Sequence, residues 1–196
     1  MAIKNFMSDV SKNGGMTYVE LIVVLSIFSI MSSIVMFNYD KFQQAVNIKV
    51  LASDIALKIV EAQKSSMGGK WNALAGPDWK PSYGLYFNTA SNQNFIYFAD
   101  LDNNGLFENL GCTGECQSQI GITKGNYISS INLFGTGCPS AVDNLDIVYK
   151  RPEPTAIISS SPVVSCNLVY AEILVSSPNL ITAKIDVYPS GRIQIN

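Results

Sequence analysis

The apolar segment at residues 21–37 constrains the fold of this chain more than any other feature, because it contains no charged residue, no proline and no glycine. A helix over residues 16–37 would be roughly 33 Å long at about 1.5 Å per residue, which matches a hydrocarbon core of about 30 Å. The polar residues of the segment are serines, whose hydroxyls can bond to carbonyl oxygens of the preceding turn: Ser26, Ser29, Ser32 and Ser33. The segment therefore predicts a membrane-spanning helix.

The residues before this segment carry a second signal. Glu20 lies at the near end of the span, where a charge costs on the order of a few kcal/mol unless it finds a partner. It is preceded by Gly14-Gly15, then Met-Thr, and by a polar leader that contains Lys4 and Lys12. An ordinary secretory signal has its small-residue cleavage site after the apolar segment, whereas the glycine pair precedes it here. The simpler alternative is an ordinary signal anchor with Glu20 at the membrane interface.

This arrangement resembles the class III signal of type IV pilins and pseudopilins. The resemblance implies that a prepilin peptidase cleaves the chain after Gly15 and methylates the new amino terminus at Met16. Counted from Met16, Glu20 is the fifth residue, and members of the family carry a glutamate at this mature position. A carboxylate there can pair with the amino group of a neighbouring subunit, which would favour one axial stagger of the subunits.

Three further stretches, 51–63, 145–154 and 190–193, are similar to H-type minor pseudopilins. Many major pilins carry a helix-breaking proline at the position that matches Phe37, and this chain has none there. The resemblance is strong over 14–63 and diffuse beyond it. It implies a minor structural subunit, without enzymatic activity, of a type IV pilus or a type II secretion-like pseudopilus.

The expected partners follow from the same resemblance. They are other pilin or pseudopilin subunits in a helical filament, the prepilin peptidase, a membrane assembly platform with its motor ATPase, and membrane lipid before assembly. Lys4 and Lys12 before the span predict a single-pass protein of the cytoplasmic membrane with a cytoplasmic N-terminus. The C-terminal domain is expected outside, and later in an extracellular or periplasmic filament. The alternative is a membrane-anchored extracellular binding protein for DNA or a surface ligand, with calcium dependence as an option.

Composition narrows the chemistry of the exported part. The chain has no histidine, which excludes serine–histidine and cysteine–histidine hydrolytic sites and histidine-ligated metals. Its formal net charge of −2 offers no general attraction for nucleic acid. Four cysteines in an oxidising compartment indicate two disulfides, for which three pairings are open. We favour Cys112–Cys116, which would close a small loop, and Cys138–Cys166, which would tie a loop to a later strand. Disulfides are favoured over a zinc site, because such a site would need two close cysteine pairs and only one exists.

The predicted fold is α+β, with a long N-terminal helix packed on an antiparallel β-sheet domain. The predicted segments are a leader at 1–15, a transmembrane or filament-core helix at 16–37, an amphipathic continuation at 38–69, and a β-rich domain at 70–196. In the continuation, Phe42, Val46 and Val50 form one apolar stripe, and Ile48, Leu51, Ile55, Ile59 and Ala62 form a second that we place beside it. Gly68-Gly69 is expected to end the helix. Strands are predicted at 83–88, 94–99, 127–134, 145–151, 156–159, 168–176, 180–188 and 192–195.

The loop that follows the second predicted strand has the spacing of half a calcium loop. Oxygen ligands occupy its first, third, fifth and ninth positions, Asp100, Asp102, Asn104 and Glu108, with Gly105 at the sixth and the carbonyl of Leu106 at the seventh. The twelfth position is Gly111, so another acid, such as Glu115, would have to supply the missing carboxylate. The alternative is a simple turn built from Asp and Asn-Gly.

Two further features bear on binding. Arg192, with Lys150-Arg151, is a candidate nucleic-acid contact, because some H-type minor pilins resemble DNA receptors through a basic C-terminal hairpin. Gln194 and the acidic balance favour an ordinary solvated strand end instead. A dense aromatic cluster spans 83–87 and 95–98, and strand alternation predicts that half of it is core while half can reach the surface.

Overall fold

The computed structural model describes residues 15–76, 79–108, 111–161 and 166–196. One helix, α1 (Tyr18–Met67), precedes nine strands: β1 (Ser82–Asn88), β2 (Asn94–Asp100), β3 (Cys116–Gly121), β4 (Tyr127–Thr136), β5 (Asn144–Tyr149), β6 (Ala156–Ser161), β7 (Asn167–Ser176), β8 (Thr182–Val187) and β9 (Ile193–Ile195). This order confirms the predicted α+β class. Apart from Gly15, the predicted leader lies outside the described residues. The chain divides into two compact units, Met1–Lys41 and Phe42–Asn196.

Between Tyr18 and Met36, the helix exposes its large apolar side chains, in contrast to the core helix of a soluble domain. By length and composition this part of α1 can cross a membrane. Ser26 donates its hydroxyl hydrogen bond to the carbonyl of Val23 at 2.8 Å, and Ser29 does the same to Leu25 at 2.8 Å. These bonds satisfy the serine hydroxyls within the helix, as an apolar surrounding requires.

In the second unit, α1 buries one apolar stripe and exposes the other. The buried stripe enters the main core and is formed by Ile48, Ala52, Ile55, Ile59 and Ala62. Phe42, Val46 and Val50 remain exposed. The expectation that the two stripes lie side by side was wrong, because at about 100° per residue their centres are roughly 160° apart around the axis.

The C-terminal end of α1 follows the expected glycine signal. Lys70 N–H donates to the carbonyl of Ser65 at 2.9 Å, and Gly69 N–H donates to Ser66 at 3.1 Å. Gly69 has φ = 59°, a left-handed conformation that glycine adopts without steric cost. This pattern is a Schellman motif, which satisfies the last carbonyl groups of the helix.

The strands form two antiparallel sheets, and both contribute side chains to the main core together with α1. The five-stranded sheet has the order β3-β2-β1-β5-β6 and the four-stranded sheet the order β4-β7-β8-β9. An isolated β-bridge pairs Ile131 of β4 with Val142, which lies just before β5. This bridge links the four-stranded sheet to the segment that leads into the five-stranded sheet. The sequence missed β3 because its residues are polar and mostly exposed, so they show no alternation of apolar side chains.

The aromatic side chains of β1 and β2 alternate between two buried clusters. Tyr83, Phe87, Phe95 and Tyr97 belong to the main core with α1, and Tyr86 and Phe98 belong to a second cluster with Ile96, Phe107 and Val148. Alternation was therefore predicted correctly, but the second face does not reach the surface. Phe107, from the loop after β2, covers that face and lies 5.2 Å from both Tyr86 and Phe98 between ring centroids.

The structure pairs Cys112 with Cys116 and Cys138 with Cys166, which are the two pairs that the sequence favours. Their Cα atoms are 4.7 Å and 5.0 Å apart, respectively, within the range that a disulfide spans. The first bridge closes a short loop before β3. The second joins the segment after β4 to the start of β7.

Candidate functional site

The N-terminus of α1 is closed by a reciprocal hydrogen-bond pair between Thr17 and Glu20. The Glu20 N–H donates to Thr17 Oγ1 at 3.3 Å, while the Thr17 N–H donates to Glu20 Oε2 at 3.3 Å. This arrangement is a capping box, and the negative side chain also complements the positive end of the helix dipole. Sequence reasoning assigned Glu20 only to subunit pairing, although the Thr-x-x-Glu spacing already carried the capping signal.

The two residues at the predicted cleavage point are exposed. Met16 retains 67 % of its accessible surface, and Gly15 is also exposed. No described atom lies within 4 Å of the position that a Cβ on Gly15 would occupy. Packing therefore gives no reason for glycine at this position, and a larger residue there leaves the described fold undisturbed.

A second site lies in the loop between β2 and β3. Asp100 ends β2, Asp102 lies in the loop, and Glu115 directly precedes β3; we call these three residues the acidic cluster. One carboxylate oxygen from each lies within 4.8 Å of the other two. Asp100 is fully buried and Glu115 is 6 % exposed, whereas Asp102 faces solvent. Two of the three carboxylates have therefore been removed from water.

Backbone amides satisfy only part of this buried oxygen set. Asp100 Oδ2 accepts a hydrogen bond from Gly105 N–H at 3.0 Å, and Glu115 Oε1 accepts one from Leu101 N–H at 2.8 Å. The remaining oxygens, Asp100 Oδ1 and Glu115 Oε2, are buried without a hydrogen-bond partner in the described structure. Such groups carry an uncompensated desolvation cost of about 1–3 kcal/mol each, and more when charged.

The electrostatics of the acidic cluster are correspondingly unfavourable for three negative charges. Burial raises the pKa of Asp100, and the neighbouring Asp102 raises it further. Burial also raises the pKa of Glu115, with added repulsion from Asp102 and Asp100. The ion pairs in the described residues are Lys58–Glu61 and Lys184–Glu172, so neither neutralises the cluster.

Strand pairing and a disulfide together hold Glu115 in this place. The Ala99 N–H donates to the Glu115 carbonyl at 2.9 Å, and Phe98 is paired with Cys116 in the β2–β3 ladder. Cys116 is in turn bridged to Cys112. The backbone on both sides of Glu115 is therefore anchored, which fixes its carboxylate against the end of β2.

The structure brings together some of the residues that the calcium-loop spacing points to. Asp100 and Asp102 both belong to the acidic cluster, and Glu115, the acid named as a substitute for the twelfth position, is its third member. Glu108 is not a member of the acidic cluster. Asn104 instead donates to both Asp102 Oδ2 and Glu108 Oε1 at 2.8 Å, and its Oδ1 accepts the N–H of Leu106 at 2.7 Å.

The loop also forms the turn that was the alternative to a calcium loop. Asn103 and Gly105 adopt left-handed conformations with φ of 66° and 79°. The same loop therefore forms a turn and carries members of the acidic cluster, so the two alternatives do not exclude each other.

Asp146 anchors the far end of this loop and was missed by the sequence reading. Its Oδ1 accepts the N–H of Phe107 at 3.0 Å, beneath the second aromatic cluster. Burial raises the pKa of Asp146 to about 7, and the hydrogen bond from Phe107 only partly opposes this effect. A carboxylate in the middle of an apolar strand, Leu-Asp-Ile-Val, was the available signal.

The candidate basic contacts lie in two separate places. Lys150 and Arg151 line an open cleft of about 700 Å³ together with Trp79 and Lys80. Arg192 is not among the residues that line this cleft, and its guanidinium stacks over the ring of Tyr188 at 3.9 Å. At the C-terminal hairpin, Arg192 is thus an exposed arginine over an aromatic ring, while Lys150 and Arg151 line the cleft instead.

Comparison of the chain with protein-family models, with curated proteins and with solved structures finds no match. The function must therefore be argued from the residues themselves.

Proposed function

We propose that this chain is a prepilin-like structural subunit of a type IV pilus or a type II secretion-like pseudopilus, in the role of a minor subunit. The observation that carries the proposal is the N-terminus of α1, where exposed Gly15-Met16 directly precede a capped helix with Glu20 in its first turn. The apolar surface of that helix remains uncovered up to Met36. A helix that can anchor the chain in a membrane, followed by a disulfide-bonded β-domain, fits such a subunit.

Filament assembly gives the exposed apolar surfaces a partner. Before assembly, lipid covers the first part of α1, and afterwards the helices of neighbouring subunits replace the lipid. In the second unit, Phe42, Val46 and Val50 are exposed as well. Burial of this stripe against other subunits contributes a favourable term of roughly 25 cal/mol per Å² of apolar area, which the costs of association partly offset.

Glu20 takes two successive roles in this proposal. In the unassembled chain it caps its own helix, and in the filament it pairs with the amino group of Met16 on a neighbouring subunit. Cleavage after Gly15 creates that amino group, which makes processing a condition for assembly. The β-rich domain would lie on the outer side of the cytoplasmic membrane, and the leader would lie in the cytoplasm.

Mass spectrometry of the protein recovered from its own cells tests the processing step. We expect a mature chain that begins at N-methylated Met16, and a Gly15→Leu variant that remains uncleaved. Gly76→Leu is the matched control, since Gly76 is also exposed and free of close contacts in the described structure. A chain still beginning at Met1 would overturn the proposal.

Substitutions at the helix cap separate the two roles of Glu20. Glu20→Gln preserves a capping residue at this position but removes the charge, whereas Thr17→Ala removes the hydroxyl acceptor and retains the charge. We expect Glu20→Gln to be processed and then excluded from sheared filaments. Thr17→Ala is expected to enter them. Normal incorporation of Glu20→Gln would show that charge pairing is not required.

The basic cleft favours one second candidate, a membrane-anchored binding protein for an anionic ligand such as DNA. Lys80, Lys150 and Arg151 supply positive charge there, and Trp79 supplies an aromatic surface. This candidate predicts an uncleaved monomer that binds short duplex DNA with strong salt dependence, and loses binding in Lys150→Ala. No binding at low salt, together with N-terminal cleavage, would eliminate it.

A further inference from the structure

We propose that the acidic cluster of Asp100, Asp102 and Glu115 is a calcium-binding site. The proposal does not depend on N-terminal processing or on filament assembly. It concerns the folded β-domain and rests on the geometry of three carboxylates and on two buried oxygen atoms.

The first step of the argument is the incomplete satisfaction of the buried oxygens. Asp100 Oδ1 and Glu115 Oε2 lack a hydrogen-bond donor in the described structure, although their partner oxygens each accept a backbone N–H. Folding therefore orients these carboxylates and still leaves one oxygen of each free. A bound cation is the partner that would offset the desolvation of both groups.

The second step is the identity of the cation. Carboxylate oxygens are hard ligands, and no histidine or free cysteine is available in this chain to favour a softer metal. Calcium–oxygen distances of about 2.3–2.6 Å allow one ion to join oxygens up to about 5 Å apart, which includes the 4.8 Å limit of the acidic cluster. Magnesium requires about 2.0–2.1 Å and a near-ideal octahedron, which a cluster anchored on two strands satisfies less readily.

The third step is the preorganisation of the ligands. Asp100 belongs to β2, and Glu115 is held by the β2–β3 ladder and by the Cys112–Cys116 bridge. Asp102, the exposed member, is oriented by Asn104, whose Nδ2 donates to its Oδ2 at 2.8 Å. Lys150, a cation beside the loop, donates to the carbonyl of Asn103 at 3.2 Å and makes no ion pair with the cluster. The site therefore suits a positive ion that none of the described side chains supplies.

Calcium titration of the full chain in detergent tests the assignment. After removal of metal with a chelator, we expect one calcium ion to bind per chain and to raise the melting temperature of the near-UV circular dichroism signal. Magnesium at the same concentration is expected to give a much smaller shift. Asp102→Asn, which changes an exposed side chain, is expected to weaken calcium binding roughly tenfold or more while the metal-free spectrum stays unchanged.

Glu108→Gln is the matched control, because it removes an exposed carboxylate from the same loop but lies outside the acidic cluster. We expect this variant to bind calcium as the parent chain does. The proposal is overturned if calcium neither binds nor shifts the melting temperature, or if magnesium is as effective. A loss of binding in Glu108→Gln with retention in Asp102→Asn would overturn the ligand assignment.

Discussion

Replacing Asp146 by asparagine is expected to remove a large part of the pH dependence of folding. Folding raises the pKa of this carboxyl from 3.8 to about 7, because the side chain is buried beneath the second aromatic cluster. The folded state therefore holds the proton more tightly than the unfolded state. Stability is lost as the pH rises from about 4 to about 7 and is level above that range.

The magnitude follows from the same two values. Each pH unit between them changes the free energy of unfolding by about 1.4 kcal/mol, which amounts to about 4 kcal/mol over the whole interval. Asparagine has no charge to bury, and its amide oxygen can still accept the N–H of Phe107 that Asp146 accepts at 3.0 Å. Relative to the parent chain, Asp146→Asn is expected to gain stability progressively towards neutral pH.

Urea unfolding of the full chain in detergent, with chelator present, measures this difference at several pH values between about 4 and 8. The control is Asp143→Asn, which removes one negative charge from an exposed position near the same strand. Parallel stability curves for the parent chain and Asp146→Asn would refute the reasoning. That result would mean that Asp146 is ionised in the folded state and stabilised by a partner.

Two further predictions compare matched pairs of residues by the same unfolding assay. Tyr149→Phe is expected to raise the free energy of unfolding by about 1–3 kcal/mol, because its buried hydroxyl has no partner in the described structure. Tyr83 lies opposite Tyr149 in the β1–β5 register. Tyr83→Phe is expected to lower the free energy of unfolding by about 1 kcal/mol, because it removes the 3.2 Å hydrogen bond from the Tyr83 hydroxyl to the Lys70 carbonyl. A change in the same direction for both variants would contradict these two predictions. Ile55→Ala, at a fully buried position of α1, is expected to cost about 2–5 kcal/mol, whereas Leu57→Ala, 65 % exposed, is expected to stay within about 0.5 kcal/mol. Equal losses in the last pair would show that the described face of α1 is not the buried one.

Local patterns made most of the secondary structure predictable. Apolar spacing of three and four residues identifies the buried face of α1, and the glycine pair after Met67 identifies its end, because both depend on interactions within one or two turns. Strands with alternating apolar residues are recovered within a few residues of their observed bounds. The opposite placement of Phe42, Val46 and Val50 was also available from helix geometry and required only the angles to be summed.

The acidic cluster could be predicted only in part. Asp100 and Asp102 are two residues apart in the sequence, so the calcium-loop spacing reveals them. The sequence names Glu115 as one acid that could replace the twelfth ligand, but not the contact that brings it there. Glu115 reaches the two aspartates through the pairing of β2 with β3, and a polar edge strand leaves no apolar pattern from which that pairing can be read. The burial of Asp146 depends likewise on Phe107 folding over the sheet, which is a tertiary contact between distant residues.

The bridge between Cys138 and Cys166 also has a mechanical consequence. These cysteines are 28 residues apart in sequence, and the segment between them contains β5 and β6. When tension acts on the two ends of the chain, the covalent link carries the load past this segment. The segment between the two cysteines, which would be roughly 90–100 Å long when fully extended at about 3.3–3.6 Å per residue, therefore does not lengthen the chain under tension. Under load, β5 and β6 can leave the sheet only by detaching as a closed loop, so the oxidised domain yields over a shorter distance than the reduced one.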